Sequence, residues 1–305
     1  MDIFIQQIIN GLVLGSIYAL VALGYTMVYG IMGLINFAHG EVVMIGAMVA
    51  LFTLKALSGL PAIVSVPIAL AAAAAVCMAV GYSIEKIAYR PLRRAPKLAP
   101  LITAIGISII LQHLAMLIWG RNYHAFPAVL PVSEHDIFGA TITSLQVVII
   151  VIAAAMMAGL TLLVQRTRLG RAMRATAENP PIAQLMGVNI NQIISATFVI
   201  GSALAAVAGL MVSANYSIAH YYMGFMLGLK AFTAAVLGGI GNLAGAMLGG
   251  ILLGIIESLG AGYIGDLTGG FLGSHYQDIF AFFVLIGVLI FRPSGLIGER
   301  VAERA

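Results

Sequence analysis

The chain has 305 residues, 61% of them hydrophobic and 9% charged, whereas soluble domains carry roughly 25% charged residues. A water-soluble globule of that length cannot hide so much apolar surface. The net charge of +4 sits in the connections between apolar runs, without the aromatic-interleaved basic stripe of a nucleic-acid binder, so a soluble fold and a nucleic-acid partner are both excluded.

What remains is an all-α integral membrane protein embedded in the lipid bilayer. One span needs about 20 apolar residues, so the length leaves room for a polytopic helical bundle of about 8–10 transmembrane segments. The 35 glycines suit helices that pack closely in lipid. Cys77, the one cysteine, lies in an apolar run and reads as a small buried hydrophobe.

Apolar runs are predicted at residues 4–29, 38–57, 61–84, 99–119, 142–164, 192–214, 227–239, 242–262 and 277–291. No basic stretch precedes the first, so it reads as a retained helix. Twelve of the 15 Lys and Arg residues fall in three segments: 85–98, 165–191 and the tail from Arg292. The positive-inside rule makes these cytoplasmic. The connections 120–141 and 263–276 are nearly free of basic residues and read as external. Counting back puts the N-terminus outside and the C-terminus in the cytoplasm.

Two places interrupt this layout. One is the stretch Gly33 to Gly40 after the first run. The other is GGIGN, Gly238 to Asn242. The run before the second break would make about 20 Å of helix, too short for a hydrocarbon core of about 30 Å. Broken or re-entrant helices are expected there, and such breaks sit at membrane depth only where protein or a water-filled cavity covers them. A weak internal echo relates Gly15-Ser16 with Ala19-Leu20 to Gly201-Ser202 with Ala203-Leu204, as an internal repeat or chance would produce.

Polar residues inside apolar runs are the candidates for function. Asn36, His39 and Glu41 stand together at the first break. Asn36 could cap the following helix, and Glu41 in its first turn would meet the positive end of the helix dipole. The stretch is then a capped break, a border of the translocation path, or both. Lys230 and Glu257 are further intramembrane charges, and Glu41 and Glu257 are both candidate partners for Lys230. Asn242 closes the second break. His113 is read as a hydrogen-bonded residue of the bundle. Gly241, Gly245 and Gly249 are spaced by four, as are Gly250 and Gly254. That spacing makes a flat face for close helix packing within the bundle or against a second membrane subunit.

The segment 166–192 differs in character. It carries Arg168, Arg171 and Arg174, is broken by Pro180-Pro181, and then turns mildly apolar through Ala183, Leu185 and Gly187. It is long for a connector and reads as a short helix pair offered to a cytoplasmic partner. No GxxxxGK[ST] phosphate loop, HExxH metal motif or GxSxG nucleophile elbow occurs in the chain, so neither ATP hydrolysis nor a cofactor is expected of it.

Four stretches carry a resemblance. They are GLVLGSIYALVALGYTMVYGIMGLINFAHGEVVMIGA (11–47), TRLGRAMRATAENPPIAQLMGVNINQIIS (167–195), GLKAFTAAVLGGIGNLAGAMLGGILLGIIES (228–258) and FRPSGLIGE (291–299). They resemble the smaller, H-type permease subunit of the bacterial ATP-binding-cassette (ABC) importers for leucine, isoleucine and valine. The resemblance implies one transmembrane permease domain over residues 1–305, multi-pass in the bacterial inner membrane. It implies a second homologous permease subunit, two cytoplasmic ATPase subunits that use the ATP, and a periplasmic amino-acid-binding protein. Ala183 and Gly187 match the ATPase coupling loop of such importers, while Pro181 and Ile182 depart from its usual acidic and alanine positions. Relatives carrying urea or short amides share the resemblance. An ion-coupled secondary transporter, a passive channel and a membrane enzyme are the competing readings of the residues alone.

Overall fold

The computed structural model describes residues 2–93, 95–96, 98–130, 133–137, 139–269 and 277–298. The basic residues Arg94, Lys97, Arg300 and Arg304 and residues 270–276 of the 263–276 connection therefore lie outside the described residues. Each of the nine predicted apolar runs is a helix. They are α1 (Asp2–Met32), α2 (His39–Ala56), α3 (Ala62–Ser83), α5 (Leu98–Trp119), α6 (Ser144–Arg166), α9 (Ile190–Tyr216), α10 (Met223–Gly238), α11 (Leu243–Leu267) and α12 (Gln277–Phe291). A π-helical turn, Ile84–Tyr89, continues α3 into the single turn α4 (Arg90–Leu92). Two short helices, α7 (Arg168–Glu178) and α8 (Pro180–Leu185), fill the long basic connection.

Among the described residues, seven helices are long and apolar enough to cross a membrane. The helix before the second break, α10, begins at Met223, earlier than predicted, yet its 16 residues still reach only about 24 Å. The polar connections contain strands that the all-α expectation omitted. β1 (His124–Ala125) pairs antiparallel with β4 (Ile218–Ala219), and β2 (Glu134–Ile137) forms a hairpin with β3 (Ala140–Thr143).

The punctuation is local chemistry. Gly33, at φ +62°, stops α1 in the left-handed conformation that glycine adopts freely. Thr143 and Gln146 form a reciprocal capping box at the start of α6. Thr167, Asn179 and Asn189 each accept a backbone N–H at the start of α7, α8 and α9. Pro180 and Pro181 occupy the first turn of α8, where no intrahelical donor is needed.

Burial sorts the helices into layers. α1, α2 and α9 are buried along most of their length, whereas α3, α5 and α6 turn an apolar face outward. Ile63, Ile102, Leu117 and Val151 lie on that outer face, the inversion expected of a protein solvated by hydrocarbon. The packing has two-fold regularity. α1 lies along α11 as α9 lies along α3, and α2 packs on α3 and α9 as α10 packs on α11 and α1. An internal repeat relating α1–α3 to α9–α11 produces this pattern, in keeping with the echo between Gly15-Ser16 and Gly201-Ser202.

Small residues set the closeness of the central contacts. A Cβ added at Gly254 would lie 2.2 Å from the Gly15 nitrogen, and one at Gly250 would lie 2.5 Å from Ala19 Cα. Gly245 and Gly249 meet the Gly238 and Ala234 carbonyls of α10 in the same way. Gly241 instead lies in the break, at φ +97°, beside Tyr29 and Gly30. The glycine face of α11 is thus filled by helices of the same chain.

The two ends of the bundle differ. At one end Tyr89 reaches the α1–α2 link, Arg93 reaches Asn191, and the backbone of Leu296 and Ile297 bonds to Leu237 and Gly238 at the end of α10. The strands gather at the other end, where Gln6 is tied to Thr141.

Candidate translocation site

Two polar clusters lie inside the apolar bundle. The first is built on the break between α1 and α2. The link 33–38 folds back so that the His39 ring sits against Gly24, where an added Cβ would fall 2.1 Å from Nε2. Tyr25 meets the same ring edge-on, with centroids 5.0 Å apart. Asn36 lies two residues before Ala38, the N-cap position of α2. Its Oδ1 accepts from the Ala38 N–H at 3.2 Å, an Asx turn, and from the Tyr89 hydroxyl at 3.3 Å. α2 itself starts after Ala38 with no side-chain cap.

Glu41 points from the first turn of α2 towards α5. Its Oε1 accepts from Gln112 Nε2 at 2.6 Å and from the Ser108 hydroxyl at 3.1 Å. The carboxylate is 1% exposed. Among the described residues, Thr26 Oγ1, His39 Nε2 and Glu41 Oε2 are buried without a hydrogen-bond partner. Each such orphan costs about 1–3 kcal/mol, and orphans of this kind call for a functional explanation. The start of α10 closes over this cluster. A Cβ at Gly40 would lie 2.5 Å from the Gly224 carbonyl, and one at Gly224 would lie 2.7 Å from Glu41 Oε2.

The second cluster joins α1, α10 and α11. Lys230 Nζ bonds Glu257 Oε1 at 2.6 Å, and the Tyr18 hydroxyl donates to Glu257 Oε2 at 3.0 Å. Glu257 is therefore the partner of Lys230, and Glu41 is held elsewhere. Beside this pair is a cavity of about 550 Å³ that reaches the strand-bearing end. His220 lines it, with Nδ1 accepting from the Tyr222 N–H at 3.1 Å. Burial lowers the affinity of this imidazole for a proton.

The remaining predicted residues lie apart. Among the described residues, Asn242 shares no hydrogen bond with either cluster. It caps α11 through the Gly245 N–H at 3.0 Å and donates to the Ile297 carbonyl at 3.2 Å. Arg168 and Arg171 are exposed on α7, while Arg174 folds back to the Val164 carbonyl. On α8, Leu185 is 87% exposed but Ala183 only 3%, and Gly187 turns the chain at φ +87°. His113 bonds its own helix, at the Ile109 carbonyl, and is exposed. Cys77 is buried, its thiol 3.3 Å from the Val42 carbonyl.

Sequence reading passed over Ser108 and Gln112, although a polar pair four residues apart in an apolar helix marks one face. It also passed over Glu85. Where the π-helical turn begins, Glu85 is fully buried and bonded by Arg90 at 2.9 Å, by Ser195 at 2.7 Å and by Arg93. No group of His, Cys, Asp and Glu side chains among the described residues could hold a metal ion.

The family model "Branched-chain amino acid transport system / permease component" matches residues 7–289. The chain belongs to the branched-chain amino acid permease family. It is similar to the high-affinity branched-chain amino acid permease protein BraD of Pseudomonas aeruginosa, 50% identical over 99% of this chain and 98% of the relative. It is 44% identical to the permease protein LivH of Escherichia coli over 99% and 97% of the two chains. The probable LivH of Methanocaldococcus jannaschii is 30% identical over 97% and 94%. No solved structure matches. The permease is a multi-pass membrane transport component and not an enzyme.

Proposed function

We propose that this permease carries leucine, isoleucine and valine across the bacterial inner membrane as one half of the membrane channel of an ABC importer. The observation that carries this reading is similarity over essentially the whole chain to relatives named for that transport. The partners are a second homologous permease, two cytoplasmic ATPases that hydrolyse the ATP, and a periplasmic binding protein. The C-terminus faces the cytoplasm, because Arg90, Arg93 and the α7–α8 segment gather at the same end as the tail.

The path runs between the two clusters. An aliphatic amino acid is apolar over its side chain and polar at one end. The apolar helices suit the side chain. Asn36, His39, Glu41 and Lys230 offer partners to the polar end, and the close Gly40–Gly224 contact is the closed state of the gate. Asn242 borders the inner mouth and fixes the tail there. ATP binding in the partners favours one arrangement of the gate by its differential affinity for the two states. Exposed Leu185 on α8, flanked by Arg168 and Arg171 on α7, makes the contact that transmits the motion.

The test is uptake of labelled leucine by cells from which the gene has been deleted, with and without the gene restored on a plasmid. Restoration of uptake, competed by isoleucine and valine but not by urea or acetamide, supports the proposal. Restoration of urea or amide uptake alone would change the substrate and keep the architecture.

A further inference from the structure

Ala62–Leu92 forms one continuous span of 31 residues, longer than the roughly 20 that a hydrocarbon core requires. Counted from Ala62, the core ends near Tyr82, and the π-helical turn and α4 stand in the headgroup layer. Tyr82 is 40% exposed, as an aromatic residue at the membrane interface is. The Lys86 ammonium lies over its ring, 5.5 Å from the centroid. Val76 and Ala79 continue the exposed apolar strip along α3, away from Lys86.

One turn beyond Lys86 is a cavity of about 740 Å³ between α4 and the start of α9, lined by Arg90, Arg93, Asn189 and Asn191 among others. Arg90 and Arg93 share one carboxylate, Glu85, so the three groups keep one net positive charge. Lys86 adds a second beside them. Both asparagines have their side-chain oxygen engaged, Asn189 by the Gln192 N–H and Asn191 by Arg93, and what remains to them is amide N–H. Among the described residues, Arg93 Nε is buried without an acceptor. The first turn of α9 adds the positive end of its dipole. The cavity is rich in donors and short of anionic oxygen.

We propose that this cavity holds the phosphate of an anionic phospholipid, with Lys86 at its rim and an acyl chain along the outward strip of α3. Basic pockets between transmembrane helices suit such headgroups. A soluble phosphate offers the same oxygens but has nothing to lay on the strip that ends at Lys86, and a protein carboxylate has nothing to lay there either. The inference rests on the membrane placement of the bundle and holds whatever solute the permease carries.

The experiment uses the assembled complex of this chain with its partner permease and ATPases, washed in neutral detergent. It is titrated with dioleoyl-phosphatidylglycerol, with dioleoyl-phosphatidylcholine and with glycerol phosphate, and bound lipid is counted by native mass spectrometry. Phosphatidylglycerol should bind roughly thirtyfold more tightly than phosphatidylcholine, the effect of two uncompensated basic charges near a membrane surface. Lys86→Gln leaves the Glu85 network intact and should weaken phosphatidylglycerol binding about fivefold. Lys86→Gln combined with Arg90→Gln, in which Arg93 still pairs with Glu85, should remove the preference. Arg166→Gln, at the end of α6, should preserve it.

Equal binding of the two lipids, or a preference unchanged in the double variant, would overturn the site. Displacement of phosphatidylglycerol by an equal concentration of glycerol phosphate would make it a site for a soluble anion and overturn the lipid. Loss of the ATPases from the double variant with lipid binding unchanged would assign the two cations to the protein partner and overturn the proposal likewise.

Discussion

At the scale of single residues, the cost of burying polar groups in an apolar bundle marks the candidate positions. Lys230 and Glu257 are affordable in an apolar bundle only as a pair. Lys230→Met alone should therefore destabilise the protein by about 3–5 kcal/mol, seen as loss of assembled complex. The added Glu257→Gln should restore assembly. Glu41 is a different case, since its Oε1 is satisfied and its Oε2 is not. Glu41→Gln preserves shape and removes charge, so it should lower the transport rate by roughly tenfold or more, the worth of one charge-assisted hydrogen bond, without loss of assembly. Equal loss of transport and assembly would reduce Glu41 to a structural residue. That the polar residues at 36, 39, 41, 230 and 257 are held inside the bundle was legible from their presence in apolar runs. Their partners were not. Gln112 lies 71 residues from Glu41, and Glu257 lies 27 residues from Lys230, and no local pattern records such distances.

At the scale of elements, lengths and stops were legible and joints were not. The nine apolar runs became nine helices because lipid demands internally bonded segments of a set length. The GGIGN break and the α7–α8 pair followed from Gly and Pro chemistry. The π-helical turn at Ile84–Tyr89 was invisible, because one widened turn leaves the hydrophobic pattern unchanged. Yet it brings Glu85 and Tyr89 inward together, linking the end of α3 to Ser195 on α9 and to the α1–α2 link. The strand pair β1–β4 was missed because two residues on each side carry no alternation to read.

Two predictions belong to this scale. Gly254→Leu should prevent assembly, because its side chain would enter the α1 backbone at Gly15. Gly159→Leu, with nothing within 4 Å, should be tolerated. Membrane-inserted, protease-resistant protein measures both. On α8, a cysteine at Leu185 should crosslink to the ATPase subunit in the assembled importer, whereas one at buried Ala183 should not. Free labelling of Leu185→Cys from solution in that assembly would remove α8 from the contact.

At the scale of the whole molecule, the fold is a bundle built twice. α1–α3 and α9–α11 pack in reciprocal fashion, and each half returns a helix, α2 or α10, towards the shared crossing at Gly40 and Gly224. Separation of the halves at a crossing with no side-chain bulk would release the orphaned His39 Nε2 and Glu41 Oε2 to a passing solute. In the importer proposed above, the energy for that separation comes from the partner ATPases, through the basic end where Arg90, Arg93 and α8 meet. The most direct measurement of this account is accumulation of labelled leucine in proteoliposomes. They would hold this chain, its partner permease and the ATPases, with binding protein on one side and ATP on the other. The account predicts ATP-dependent accumulation that disappears when this chain is omitted. Leucine uptake by this chain alone, driven by a proton or sodium gradient without ATP, would contradict it.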